Sequence, residues 1–360
     1  MNWKKVWGVS DVTAENDLNL SPWLAGNGPE QDIVISNRVR LARNIEKIPF
    51  PGHANEQQLK TITSEVKNIL SVREDIPLQY IGIQELSEIE KNLLVEKNLT
   101  SPAHLKQEQE AGILINEQEN ICILINEEDH LRIQVLSAGL QLDNSWEKAD
   151  EVDDMFESEL DFAFSSKYGY LSACPTNLGT GLRASVMVHL PALNLTNNIN
   201  KMLGAISQLG LVVRGIYGEG SESSGNIYQI SNQITLGNSE KEIIDNLKSV
   251  MTQIIEEERK TRHKLMENKK DQVVDKIMRS YGILRYAHKI SEREAMEHLS
   301  SVKLGIDMGI IDSLDTKIMS ELMILIRPAH LQKIVQQELD ANKRGIQRAL
   351  LIRNRLEERN

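Results

Sequence analysis

Hydrophobic periodicity divides the chain in two, and that division limits the folds open to it. Between residues 112 and 136 the apolar residues fall in short β-rich runs at 112–116, 121–125 and 131–136, separated by polar turns. Runs this short with tight turns predict hairpins, and hence antiparallel pairing. Residues 182–190, 211–217 and 226–236 predict further strands; 55–70, 84–98, 150–165 and 196–208 predict helices. From Ser239 onward the spacing is helical throughout. Ser239 with Glu242, and Ser291 with Glu294, are capping boxes. The first opens a long charged helix expected to run towards residue 280. Residues 317–326, 328–339 and 342–358 follow with helical spacing. The expectation is an α+β fold: a domain over 1–270 with a mostly antiparallel sheet flanked by helices, then an all-helical domain over 271–360 suited to substrate docking, regulation or dimerisation. Apolar spacing over 316–339 fits either a core or a dimer face.

The chain has 360 residues, long enough for two such units. No run approaches the 18 apolar residues of a membrane span. Residues 1–12 lack an apolar signal core, so secretion is not expected. Cys122 and Cys174 form neither a disulfide framework nor a zinc pattern, and a reducing cytoplasm is the expected setting. The net charge of −11 is uneven. Residues 241–360 hold 23 of the 41 basic and 19 of the 52 acidic residues, which leaves 18 basic and 33 acidic before them. An acidic front part argues against direct nucleic-acid binding. It also makes its seven arginines worth locating: Arg38, Arg40, Arg43, Arg73, Arg132, Arg183 and Arg214.

Most of these stand in unusual local sequence. Ser36-Asn-Arg38-Val-Arg40-Leu-Ala-Arg43 follows an apolar run; if extended, it projects Arg38 and Arg40 to one face, where an anion such as phosphate would relieve their repulsion. A solvated strand edge is the plainer reading. Asn126-Glu127-Glu128-Asp129-His130-Leu131-Arg132 lies between two strands, either as a solvated turn or as a carboxylate site for a cationic substrate beside a phosphate-facing Arg132. Cys174-Pro-Thr-Asn177-Leu-Gly-Thr-Gly-Leu-Arg183 is a turn whose backbone approaches a ligand closely, although a lone cysteine is more often inert core. Arg214-Gly-Ile-Tyr-Gly218-Glu219-Gly220, continuing to Gly225, is a glycine- and serine-rich loop: a substrate-closing loop or a plain hairpin. The Walker A loop, the His-Arg-Asp and Asp-Phe-Gly signatures and the dinucleotide fingerprint are absent. Taken together, the motifs collect five arginines, several carboxylates and glycine loops at strand ends, which is the inventory of phosphoryl transfer.

In this order the motifs resemble the ATP:guanidino phosphotransferases, the phosphagen kinase family. The resemblance spans residues 36–236. Three features are most like the bacterial protein-arginine kinase branch: no separate helical N-terminal domain, an extra C-terminal helical domain, and runs such as Leu209-Gly-Leu-Val-Val-Arg-Gly and Leu304-Gly-Ile-Asp-Met-Gly. The resemblance implies that Arg38, Arg40, Arg132, Arg183 and Arg214 bind the nucleotide, together with Ser36, His130 and Asn177 of the same motifs. It implies that Glu128 and Glu219 hold the acceptor guanidinium and that Cys174 is the active-site cysteine. The implied cofactors are ATP and Mg²⁺, the ion bridging phosphate oxygens with few or no protein ligands.

The implied activity is transfer of the ATP γ-phosphoryl group to protein arginines, marking proteins for degradation or controlling a stress-response repressor. The implied partners are protein substrates, an activating adaptor, a Clp-type protease and a second copy in a homodimer. The branch also carries a phosphoarginine-binding Arg-Asp-x-x-Arg-Ala motif. Here it reads Arg344-Gly-Ile-Gln-Arg348-Ala, with Gly345 in place of the aspartate. Arg344 and Arg348 share a helix face and suit a phosphoryl clamp, or simply a basic helix near its C-terminus. Two other functions fit the same chain: a kinase for a small free guanidino compound, and an inactive phosphoarginine-binding adaptor.

Overall fold

The computed structural model describes residues 20–24, 27–73, 76–215 and 224–357. Its frame is an eight-stranded sheet in which every neighbouring pair is antiparallel. The strands are β1 (Val34–Arg43), β2 (Gln79–Gly82), β3 (Gly112–Ile115), β4 (Ile121–Ile125), β5 (Leu131–Ala138), β8 (Leu182–His189), β9 (Leu211–Gly215) and β10 (Ile227–Asn232). A separate hairpin pairs β6 (Phe164–Ser165) with β7 (Gly169–Tyr170). The spatial order is β2-β3-β4-β5-β1-β8-β10-β9, so β1, first in sequence, sits in the middle.

Alternation along the strands sorts the two faces. Val39, Leu41, Ile133, Val135, Ala184, Val186 and Ile230 turn to one side. There they form the main core with the apolar stripes of α1 (Glu56–Val72), α3 (Leu142–Glu157) and α6 (Glu240–Asn268). The other face is apolar towards β3 and β4, where α2 (Glu88–Glu96) and Trp23 pack. Towards β1 and β8 it is polar and carries Ser36, Arg38, Arg40, Arg183 and Ser185.

Four helices begin on the expected side-chain logic. Asn55–Gln58, Ser87–Glu90, Ser239–Glu242 and Ser291–Glu294 all form reciprocal capping boxes. Three boundaries differ from expectation. The helix expected over 150–165 is α3, Leu142–Glu157. Its N-cap, Gln141, makes no side-chain cap bond, so no local signal marks its start. Its predicted tail is extended instead, because Glu46 N bonds Asp161 O and Ala163 N bonds Asn44 O. The strand expected over 226–236 ends at Asn232, whose side chain leaves the ladder to bond Leu182 O and Ile234 O. The long charged helix breaks at Lys269 (φ −140°, ψ 29°) and restarts as α7 (Lys270–Tyr286).

The remaining helices are α4 (Pro191–Leu195), α5 (Ile199–Gln208), α8 (Glu292–Asp307), α9 (Thr316–Leu325), α10 (Pro328–Val335) and α11 (Ala341–Glu357). The apolar spacing over 316–339 is core: Ile318, Met319, Leu322, Ile326 and Leu331 are buried. This second core also takes in Ala192 and Ile227, so the C-terminal helices pack directly on the sheet end. Charged groups are buried at that junction. Lys303 meets Asp307 at 2.7 Å, and Arg262 meets Glu258 at 3.0 Å, while Glu258 accepts from the backbone N–H groups of Ala192 and Leu193. No helix among the described residues is long and apolar enough to cross a membrane.

Candidate active site

Directly opposed residues of an antiparallel sheet share a face. Arg40 on β1 stands opposite Arg183 on β8, and Ala42 stands opposite Arg132 on β5. Arg214 on β9 stands opposite Gln229, Gln229 opposite Met187, and Met187 opposite Ser36. The register alone therefore brings arginines from β1, β5, β8 and β9 to one surface. They line a cleft of about 190 Å³ with Glu128, Cys174, Thr176, Asn177 and Gly181. Arg38, two residues from Arg40, lines an adjoining small pocket with Ser36, and its Nη1 donates to Asn98 O at 3.3 Å. Arg43 has the opposite parity and is framework: it binds Asp153, the carbonyls of Ala42 and Thr180, and the face of Tyr170.

Like charges placed opposite each other repel. Burial, and next the charge of Arg132, push the Arg38 guanidinium down to about 10. Arg40 is driven well below its ordinary value, first by burial and then by Arg38, Arg132 and Arg183. Guanidinium stays protonated under any ordinary condition. The depression therefore reflects burial first and crowding by like charge second, and a bound anion would offset both. Arg40 Nε is buried and has no hydrogen-bond partner among the described residues.

The acidic turn between β4 and β5 supplies the other charge. Asn126 opens it at φ 58°, with its amide nitrogen bonded to Leu59 O and Glu110 O. Glu127 is buried and meets Arg132 Nη1 at 2.6 Å, with Ser101 Oγ also at 2.6 Å. Burial alone would raise this carboxyl; Arg132 and the Ser101 hydroxyl outweigh it and hold Glu127 below its ordinary value. Glu128 is exposed on the cleft side and meets Arg132 Nη2 at 3.1 Å. Sequence reasoning missed Glu127. Two adjacent acids in a turn look alike until the fold shows which one faces inward.

The wall carrying Cys174 follows from its glycines. Gly179 (φ 107°) and Gly181 (φ 68°) adopt backbone that favours glycine, and a Cβ on either would lie 2.6 Å from a backbone oxygen, of Thr235 and Ala42 respectively. Thr235 Oγ1 bonds Thr176 O and Leu178 O, closing the turn. Cys174 Sγ lies 3.1 Å from Thr176 Oγ1 at the cleft. Cys122 is buried in the sheet, and burial pushes its thiol up to about 12.

Two sets of sequence-predicted residues are not brought to this cleft. His130 is not on the cleft. It is fully buried, its Nδ1 accepts from Ile45 N at 2.9 Å, and its Nε2 meets Pro49 O at 2.8 Å, so both ring nitrogens are committed to framework. Arg344 and Arg348 do not form an open clamp. Arg348 is buried and donates to Ile326 O and Ile290 O, and Arg344 donates to Leu339 O. A side chain at Gly345 would press on Lys289 at 3.0 Å, which gives a packing reason for the missing aspartate. Glu219 lies outside the described residues.

Residues 60–261 match the family described as "ATP:guanido phosphotransferase, C-terminal catalytic domain". The chain belongs to this family. Residues 270–360 match a second family, the "Protein-arginine kinase McsB C-terminal domain". The chain is 61% identical over 338 residues to the protein-arginine kinase of Halothermothrix orenii, covering 94% of this chain and 97% of that one. It is 49% identical over 341 residues to that of Bacillus subtilis, covering 94% and 93%. Among solved phosphotransferase structures, the duplicated taurocyamine kinase of Schistosoma mansoni with bound transition-state analog components matches at TM-score 0.59 and 26% identity, over 71% of this chain and 38% of that one. Lombricine kinase matches at 0.57 and 25%, over 71% and 75%.

Proposed function

We infer that this chain transfers the γ-phosphoryl group of ATP to arginine guanidinium groups of proteins. The observation that carries the reading is the convergence of Arg40, Arg132, Arg183 and Arg214, from four strands, on one cleft shared with Glu128 and Cys174. The arginine forks hold phosphate oxygens and offset the charge of the transferring group, with Arg38 behind them. Mg²⁺ enters as part of the MgATP substrate, held by phosphate oxygens and water.

Glu128 holds the acceptor guanidinium in line with the γ-phosphorus. It already grips a guanidinium, that of Arg132, at 3.1 Å. As the N–P bond forms, the bond from the γ-phosphorus to the bridging oxygen breaks, ADP leaves, and the guanidinium proton passes to Glu128 and then to water. Alignment of this kind lowers a barrier by roughly 7–11 kcal/mol. Cys174 stands at the cleft beside the acceptor, and Glu219 is the second carboxylate that the family resemblance implies. Residues 1–270 carry this chemistry and residues 271–360 form the helical domain. A Clp-type protease, a stress-response repressor, an activating adaptor and a homodimer belong to the same proposal and rest on the resemblance alone.

The test is to incubate the protein with MgATP and either an unfolded protein or free arginine, then analyse the products by mass spectrometry that preserves P–N bonds. Phosphoarginine on the protein is the expected result. Phosphorylation of free arginine alone would favour a small-substrate kinase, and no ATP use with either would favour a binding adaptor.

A further inference from the structure

We propose that Asp129 is a positioning residue for phosphoryl transfer, clasping the segment that carries Glu128 to the segment that carries Cys174. Asp129 is fully buried, and its Oδ1 accepts two hydrogen bonds. One comes from Ala173 N at 2.7 Å, the residue before Cys174. The other comes from Asn44 Nδ2, also at 2.7 Å. Asn44 completes the clasp: its Nδ2 also reaches Leu171 O at 2.9 Å, and its Oδ1 accepts from His130 N at 3.0 Å. His130 in turn pins the same turn to Ile45 and Pro49.

Neither wall is held by regular structure. Residues 126–130 are the turn between β4 and β5, and residues 171–174 are the loop after β7. Among the described residues, the bond from Ala173 N to Asp129 is the one direct hydrogen bond between these segments. Each segment has anchors of its own, and Asp129 with Asn44 ties the one to the other, fixing how Glu128 stands relative to Cys174. This rests on the reading that Glu128 and Cys174 meet the acceptor. Misplacing such groups by about 1 Å can cost on the order of 100-fold in rate.

The experiment compares Asp129→Ala and Asp129→Asn with the unmodified protein in three measurements: transfer to an unfolded protein, ATP affinity, and the alkylation rate of Cys174 by iodoacetamide. Cys122 is buried and does not interfere. An asparagine at 129 keeps an oxygen that accepts both bonds. Its transfer and alkylation rates should stay within about fivefold of the unmodified protein, while Asp129→Ala loses transfer by on the order of 100-fold, keeps ATP affinity within about threefold and shifts alkylation several-fold. The proposal is overturned if Asn is as damaged as Ala, or if Ala alters neither transfer nor alkylation. The Asn variant keeps the test decisive should Ala not fold. Alkylation is read without ATP or acceptor, so it tests the clasp separately; a fully active Glu128→Gln would instead overturn the acceptor assignment.

Discussion

In the cleft, Arg40 faces Arg183 across paired strands, and its Nε has no acceptor among the described residues. In α11, Arg348 is equally hemmed in, but its donors go to the carbonyls of Ile326 and Ile290. The side chains are chemically identical, and both stand in motifs that suggest phosphate. What separates them is the company the guanidinium keeps. Backbone carbonyls turn an arginine into a staple between helices. Other guanidiniums leave it beside like charge, whose repulsion an anion would reduce.

This contrast can be broken at several points. Glu128→Gln should reduce phosphoryl transfer by about 1,000-fold with ATP affinity nearly unchanged, as measured by initial rates and calorimetry, because the positioned proton acceptor is lost. Arg348→Ala should leave two buried carbonyls unpaired and destabilise the fold by about 1–3 kcal/mol in urea unfolding, with ATP binding intact. A variant of unchanged stability would return Arg348 to the list of ligand-binding candidates.

Arg40→Met tests the opposite case. Relief of repulsion should leave stability unchanged or raise it by up to about 1 kcal/mol while transfer falls, since function here opposes stability. A marked loss of stability would mean that Arg40 is framework after all.

The smallest effect concerns pH. Burial, and then Lys303 and Arg262, hold the His189 imidazole well below its ordinary value of 6.5. The folded state thus refuses a proton that the unfolded chain accepts. The stability from this group is complete above about pH 6.5 and falls as pH drops below it, by up to about 1.4 kcal/mol per pH unit. His189→Gln should flatten this slope in urea unfolding between pH 7.5 and 5.5. Equal slopes would show that His189 is not among the groups responsible.

The parts legible in the sequence share a physical basis. The short hairpin runs announced an antiparallel sheet because a tight polar turn between two apolar runs is local, and Ser239 and Ser291 announced helix starts because a capping box is local. Arg40, Arg132, Arg183 and Arg214 were found through motifs, but their meeting depends on strand order, with β1 threaded between β5 and β8, and no local pattern encodes that. The start of α3 was missed because Gln141 provides no cap. The surroundings of His130, Glu127 and the Arg344–Arg348 pair were not legible for a common reason. Their roles depend on partners far away in sequence, such as Pro49 for His130 and Ile290 for Arg348.

The central claim is that the guanidiniums of the sheet face, and not those of the helical region, form the triphosphate site. It is tested most directly by titrating MgATP into Arg183→Ala and Arg348→Ala side by side, at one fixed salt concentration. Arg183→Ala should weaken binding by on the order of 100-fold, and Arg348→Ala, assayed where it remains folded, should match the unmodified protein within about twofold. Equal weakening in both, or in Arg348→Ala alone, would contradict it.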